Sequence, residues 1–224
     1  AQAKTLIVYY SYTNNVERIV NGLRSQIEAD VIEVEPAEKG LDYAANNYAI
    51  GSAQIAAIRE NPNDAASYPA IDPINVDMSQ YSTIIIGAPL WWSNMAAPLQ
   101  TFLFQHGKEM AGKNIGLIVS SASSGINGVE SDAKRLIPEG KFLSPSLWIR
   151  SSQTSNAKTL LQNWLQAIGY NNLVSSIKNV VQDHNTGFTV YSLSGIRLLA
   201  DAESTATLPA GLYIINGKKT FISK

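Results

Sequence analysis

The 224-residue chain contains no cysteine, which excludes disulfides, thiolate metal sites and cysteine nucleophiles. Histidine is nearly absent, at two residues, and the carboxylates are scattered, so no metal-ligand set stands out. Charged residues make up only 16% of the chain and the formal net charge is −1. A balance of this kind lacks the basic face that phosphate backbones demand, which argues against nucleic acid as a main partner. No apolar run approaches the length of a membrane span. The first residue is Ala1 and not Met, and the expectation is a periplasmic or exported protein whose signal peptide has been removed, with the cytoplasm as the alternative.

What is present is a well-supplied core. Hydrophobic residues reach 45%, a folded globular composition large enough for one good-sized α/β domain. "KTLIVYYS" (4–11) reads as a strand buried on both faces, and "NVERIVNGLRSQIEA" (15–29) as an amphipathic helix. "DVIEVEP" (30–36) is a second strand ending at Pro36. Residues 40–70 form an alanine-rich, largely helical excursion. "YSTIIIGAPLWW" (81–92), "KNIGLIVSSAS" (113–123) and "KFLSPSLWIRS" (141–151) are further strands, the last interrupted at Pro145. Helices are expected over 96–107, 127–140 and 156–169. Strands alternating with helices predict a doubly wound five-stranded parallel sheet, which binds ligands beyond the carboxyl ends of its strands.

Three loops of unusual composition fall at that edge. In "SYTNN", a helix starting near Asn15 offers free N–H groups and a positive dipole end, and Ser11, Thr13 and Asn15 add side-chain donors. That set can hold a phosphate without a basic residue, although the same residue types also serve as ordinary helix caps. In "GAPLWWSNMAAP", adjacent Trp91 and Trp92 point opposite ways from an extended chain, so at least one belongs at a rim, where its face suits a planar aromatic ligand. A packed apolar lid is the alternative. In "SSASSGING", small side chains allow close backbone approach, or form a plain turn.

Taken together, residues 4–170 resemble a flavodoxin. The flavodoxin phosphate loop S/T-x-T-G-N-T is matched by Ser11-Tyr12-Thr13-Asn14-Asn15-Val16, with Asn14 in place of glycine and Val16 in place of the last threonine. Asn is a tolerated substitute where φ is positive. "GAPLWWSNMAAPLQTFL" is similar to the G-x-P-x-W-W segment of a bacterial subfamily, and "SSASSGINGVESDAKRL" to its third loop. The resemblance implies FMN as cofactor. Ser11, Tyr12, Thr13, Asn14, Asn15 and Val16 would wrap its phosphate. Pro89, Leu90, Trp91, Trp92, Ser93 and Asn94 would line the isoalloxazine, with the Ser93–Asn94 peptide as a partner for flavin N5. Ser121, Ala122, Ser123, Ser124 and Gly125 would meet the pyrimidine edge or the ribityl chain. A crevice without lysine or arginine would leave the reduced anion uncompensated and give a low potential for the second electron.

The expected organisation is an FMN-binding domain over 1–170, a linker over 171–187 and a small β-rich extension over 188–224. In the extension "VYSLSG" and "LPAGLYIINGKK" resemble C-terminal segments of exported Bacteroidetes proteins, and Asn216-Gly217 marks a hairpin. The leading functional expectation is an electron carrier between redox partner proteins, with no membrane span. An FMN-dependent NAD(P)H:quinone-type oxidoreductase is the alternative, as is a binding module that has lost FMN. Oligomeric state is left open.

Overall fold

The computed structural model describes residues 4–174, 188–202, 208–215 and 218–222. The chain divides into two compact units, residues 1–171 and 172–224.

In the first unit, β1 (Lys4–Tyr9) lies between β2 (Asp30–Glu33) and β3 (Tyr81–Trp91). All pair in parallel: Leu6 stands opposite Asp30 on one side and Ile84 on the other. β3 pairs in parallel with β5 (Asn114–Ser121), and β5 with two short segments, β6 (Lys141–Phe142) and β7 (Leu147–Arg150). The strand order β2-β1-β3-β5-β6/β7 has the switch point between β1 and β3 that doubly wound sheets use for ligands. The five expected strand positions are present. The fifth is split around Pro145, which has no N–H to give to the ladder.

Among the described residues, α1 (Asn15–Arg24), α2 (Ala45–Glu60), α3 (Ala97–His106), α4 (Asn127–Leu136) and α5 (Ala157–Ala167) flank the sheet. α1 and α5 cover one face, where Trp164 of α5 lies over Gly116 of β5 and Val16 of α1 over Gly87 of β3. The opposite face carries the main core: Leu6, Val8, Ile84, Ile86, Leu117 and Val119 meet Ile55, Phe102 and Val129 from α2, α3 and α4. Each such fully buried aliphatic contributes roughly 1.5–3 kcal/mol.

Two helices end earlier than expected. α1 stops at Arg24, where the Ser25 hydroxyl turns back to the Gly22 carbonyl at 2.7 Å and competes with the helix ladder. α4 stops at Leu136, because Ile137 precedes Pro138 and takes φ −126°, ψ 66°. Inside α2 the alanine-rich pattern hides a break: Asn46, Asn47 and Tyr48 all have left-handed backbone, with φ of 50°, 56° and 62°. α5 closes with Gly169 at φ 68°, as its place after the last helical turn demands.

In the second unit, β8 (Phe188–Tyr191), β9 (Arg197–Ala202), β10 (Gly211–Ile215) and β11 (Lys218–Ile222) form an antiparallel sheet of order β11-β10-β8-β9. Gly195, at φ 82°, turns the chain between β8 and β9. The expected Asn216-Gly217 turn and the "QDHNTG" link lie outside the described residues. No helix among the described residues is long and apolar enough to cross a membrane.

Candidate cofactor site

The loop after β1 is built around Asn14. It sits at φ 63°, ψ 1°, left-handed, and is the residue before the first turn of α1. The glycine-like role expected of this asparagine is therefore the one it plays. Its carbonyl accepts the Arg18 N–H at 3.0 Å and starts the helix ladder. The Ser11 Oγ accepts the Glu17 N–H at 3.2 Å, so Ser11 does cap the helix, while its own O–H stays available to donate. The N–H groups of Asn15 and Val16, in the first turn of α1, have no partner inside the helix. Thr13 and Asn14 are exposed and Asn15 is half-buried at the mouth. Val16 is different: its side chain is buried, within reach of Gly87 in the core, so only its backbone faces the loop.

The loop after β3 is a tight hairpin. Trp91 pairs with Asn94 across it, and β4 (Asn94–Met95) runs antiparallel to the end of β3. Trp92 and Ser93, the two turn residues, have φ of 46° and 64°. Positive φ at both central positions is the turn that matches strand twist, and for side chains other than glycine it costs of order 1–2 kcal/mol each. The two tryptophans diverge as expected. Trp91 is buried among Tyr10, Tyr12 and Tyr43, with ring centroids at 5.6, 6.2 and 5.1 Å, whereas Trp92 is 41% exposed. Gly51 of α2 lets that helix lie against both indoles, since a Cβ there would stand 3.1 Å from Trp92 and 3.4 Å from Trp91. Pro89, Leu90 and Asn94 are half-buried along the same edge, and Ser93 is exposed at the tip.

Three groups hold this strained turn. Arg59 of α2 donates from Nε to the Asn94 Oδ1 at 2.8 Å, and its terminal nitrogen bonds the Trp92 carbonyl and the same Oδ1. Asp132 of α4, 7% exposed, accepts from Asn94 Nδ2 and from the Met95 N–H, both at 2.9 Å. Asp132 is in turn 3.5 Å from Arg135, which also donates to Gln100 and Tyr68. Finally, Gly128 backs the Ser93 carbonyl so closely that a Cβ there would stand 1.8 Å from its oxygen.

The third loop follows β5. Ser121 is buried, and its hydroxyl donates to the Ser124 carbonyl at 2.9 Å while accepting from the Trp148 indole at 2.8 Å. Both capacities of that hydroxyl shape the loop. Ala122, Ser123, Ser124 and Gly125 are exposed and free to face a ligand. Arg150, opposite Ser121 in the ladder, lies over the Trp148 ring at 4.6 Å from its centroid.

The expectation of an edge without positive charge is thus overturned. Arg59 and Arg150 both reach it, one from the 40–70 excursion and the other from the carboxyl end of β7. Arg150 was readable from its place at a strand end. Arg59, Asp132 and Arg135 carried no local signal, because their partners lie on other elements.

Beside the first loop, Tyr10, Ser11 and Tyr12 form one wall of a hollow of about 290 Å³ whose other wall runs from Glu33 to Tyr43. Burial raises the Tyr10 phenol, and with it Tyr43 and Tyr12, so all three rings stay neutral at physiological pH. The three loops meet at one sheet edge with a left-handed nest, free helix N–H groups and an exposed indole. These donors and this face fit a phosphorylated planar aromatic cofactor.

The family model described as flavodoxin matches residues 4–168. Among solved structures, a Bacteroides eggerthii protein assigned as a flavoprotein is 22% identical, with TM-score 0.59 over 75% of this chain and 99% of that one. A second, from Bacteroides uniformis, is 23% identical with TM-score 0.56 over 72% and 99%. A Lactobacillus acidophilus flavoprotein in complex with FMN is 22% identical with TM-score 0.53, over 70% and 99%. At these identities the likeness speaks to the fold. With the sheet order, the left-handed Asn14 and the match over 4–168, this chain belongs to the flavodoxin family.

Proposed function

We propose that the chain holds FMN across the three loops and carries electrons between redox partner proteins. The observation that carries this is the convergence of the Asn14 nest, the Trp92 face and the exposed Ser123–Gly125 backbone at one end of the sheet. Asn15 and Val16 would give backbone N–H groups, and Ser11 and Thr13 hydroxyls, to the phosphate. Trp92 would cover a face of the ring system. FMN supplies one- and two-electron redox chemistry when bound. The protein's part is to grip, orient and set the surrounding charge. Arg59 sits behind the Trp92–Asn94 turn, and its positive charge favours reduced, more negative cofactor over oxidised. The tail resemblance supports export as part of the same reading.

The test is the visible spectrum of the purified chain after FMN is added and the excess removed. A retained and shifted flavin band, followed by reduction with dithionite and reoxidation by an added one-electron acceptor protein, is the expected result. Loss of the flavin on desalting would defeat it. Rapid NAD(P)H-driven quinone reduction by this chain alone would assign it to the oxidoreductases instead.

A further inference from the structure

Asn94 belongs to the loop expected to line the cofactor ring, yet its side chain is committed elsewhere. Its Oδ1 accepts from Arg59 Nε at 2.8 Å, and its Nδ2 donates to Asp132 at 2.9 Å. A guanidinium has only donors and a carboxylate only acceptors, so the amide fits between them one way round. Asn94 thus bridges opposite charges on α2 and α4, with its oxygen toward the cation and its N–H toward the anion. The same two residues hold the backbone on either side: Arg59 bonds the Trp92 carbonyl, and Asp132 accepts the Met95 N–H at 2.9 Å.

The two charges are not equivalent. Arg59 is exposed, and water screens it, whereas Asp132 is buried and acts through a lower dielectric. Arg135 offsets the Asp132 charge only in part. Its contacts with Gln100 and Tyr68, at 2.7 and 2.9 Å, are shorter than its 3.5 Å approach to Asp132. Gln100, 1% exposed, returns to the hairpin by donating to the Met95 carbonyl at 2.7 Å. Asp132, Met95, Gln100 and Arg135 therefore close a ring that fixes where the negative charge lies. We propose that Arg59 and Asp132 are an opposed pair of positioning residues that set the reduction potential of a cofactor held at the Trp92–Ser93 turn, with Asn94 as the bridge between them and not a ring ligand. The proposal rests on the FMN reading. Electrons arriving at the turn bring negative charge, which Asp132 disfavours and Arg59 favours.

The experiment is an equilibrium potential measured against a reference dye, for the FMN-loaded full chain and for free FMN, with Asp132→Asn and Arg59→Gln. Asparagine at 132 can turn its oxygen to Asn94 and Met95, keeping both hydrogen bonds while the charge is lost. The ratio of reduced to oxidised cofactor at a fixed poise is expected to rise about tenfold, or about 30 mV for a two-electron couple. Arg59→Gln should lower that ratio about threefold. Opposite signs separate the proposal from a purely structural role, because a loosened turn would move both variants toward free FMN. Arg135→Gln, which leaves Asp132 less compensated, should also lower the ratio and stands in if Asp132→Asn does not fold. In the FMN-free chain, Asp132→Ala should unfold at lower urea than Asp132→Asn, since only alanine leaves the buried Met95 N–H without an acceptor. Shifts of the same sign in Asp132→Asn and Arg59→Gln, or no shift in Asp132→Asn, overturn the proposal while FMN retention by the wild-type chain leaves the cofactor reading intact. Loss of FMN from the wild-type chain removes both.

Discussion

Arg59 on α2 grips Asn94 on the far side of the Trp92–Ser93 turn, donating from Nε to Oδ1 at 2.8 Å across 35 residues of sequence. The contact joins an excursion that has no strand of its own to the loop that must present an aromatic face. It also occupies the Trp92 carbonyl, so Arg59 holds the first of the two left-handed residues together with the side chain of the residue that follows them.

Arg59→Ala should release that turn. The residue is exposed, so folding stability should change little. FMN affinity should fall about three- to tenfold, the scale of one charge-assisted hydrogen bond weakened by solvent. Arg59→Lys should not restore it, because a single ammonium cannot span the Trp92 carbonyl and Asn94 together. Flavin fluorescence titration reads both; unchanged affinity would mean that Asp132 alone sets the loop.

Asn14→Ala should cost about 1 kcal/mol of stability, because alanine lacks the local side-chain compensation that lets asparagine sit at φ 63°. Asn14→Gly should be neutral or slightly tighter for FMN. Urea midpoints and FMN titration of the two variants give the comparison, and equal behaviour of Ala and Gly would show that the nest is not the determinant.

Gly128→Ala forces a Cβ to within 1.8 Å of the Ser93 carbonyl oxygen, a backbone atom that cannot swing aside. Either α4 or the hairpin must move. The expected cost is about 1–3 kcal/mol in thermal or urea unfolding, together with weakened flavin retention. A variant that keeps both properties would place the helix further from the turn than the structure does.

Alkaline pH should unfold the chain through its tyrosines. Burial pushes Tyr9 up to about 12, with Glu33 beside it adding to the rise. Burial also pushes Tyr81 up to about 12, and Asp30 accepts its hydroxyl at 2.8 Å. In the unfolded chain these phenols ionise near 10.0, while in the folded chain they hold their protons. Above pH 10 the unfolded state therefore binds fewer protons, and stability falls from there to about pH 12; below pH 10 the effect is fully present and flat. Urea midpoints on the two sides of pH 10, with the tyrosinate ultraviolet band, test it. A full tyrosinate signal near 10 with the fold intact would contradict the buried positions.

The parallel sheet could be read from the chain because its strands are apolar on both faces and its helices on one; such patterns are local. Asn14 could be read for the same reason, since the choice of asparagine at a glycine position states its backbone angle. The divergence of Trp91 and Trp92 follows from strand geometry alone. What could not be read is what arrives from elsewhere. Asp132 looks like one more surface carboxylate in "NGVESDAKRL", yet it is the buried acceptor for Met95 and Asn94. The Asn46–Tyr48 break was hidden by the surrounding alanines, although two consecutive asparagines are the residues that best tolerate a left-handed turn. Val16 stands where the flavodoxin phosphate loop has a threonine. In the fold it is a core residue facing Gly87, which explains why a hydrophobic side chain is accepted there.

The interruption of the last strand at Pro145 has a consequence for how copies of this molecule meet. An outer strand offers open N–H and C=O groups to any passing chain, and long flat margins invite fibril-like stacking. Here one margin is cut into pieces of two and four residues, and the other, Asp30–Glu33, is four residues long with a carboxylate at each end. Neither offers a continuous template for strand addition. At high concentration the first unit should remain free of sheet-to-sheet growth, and filling the gap around Pro145 with strand-forming residues would be the direct way to create it.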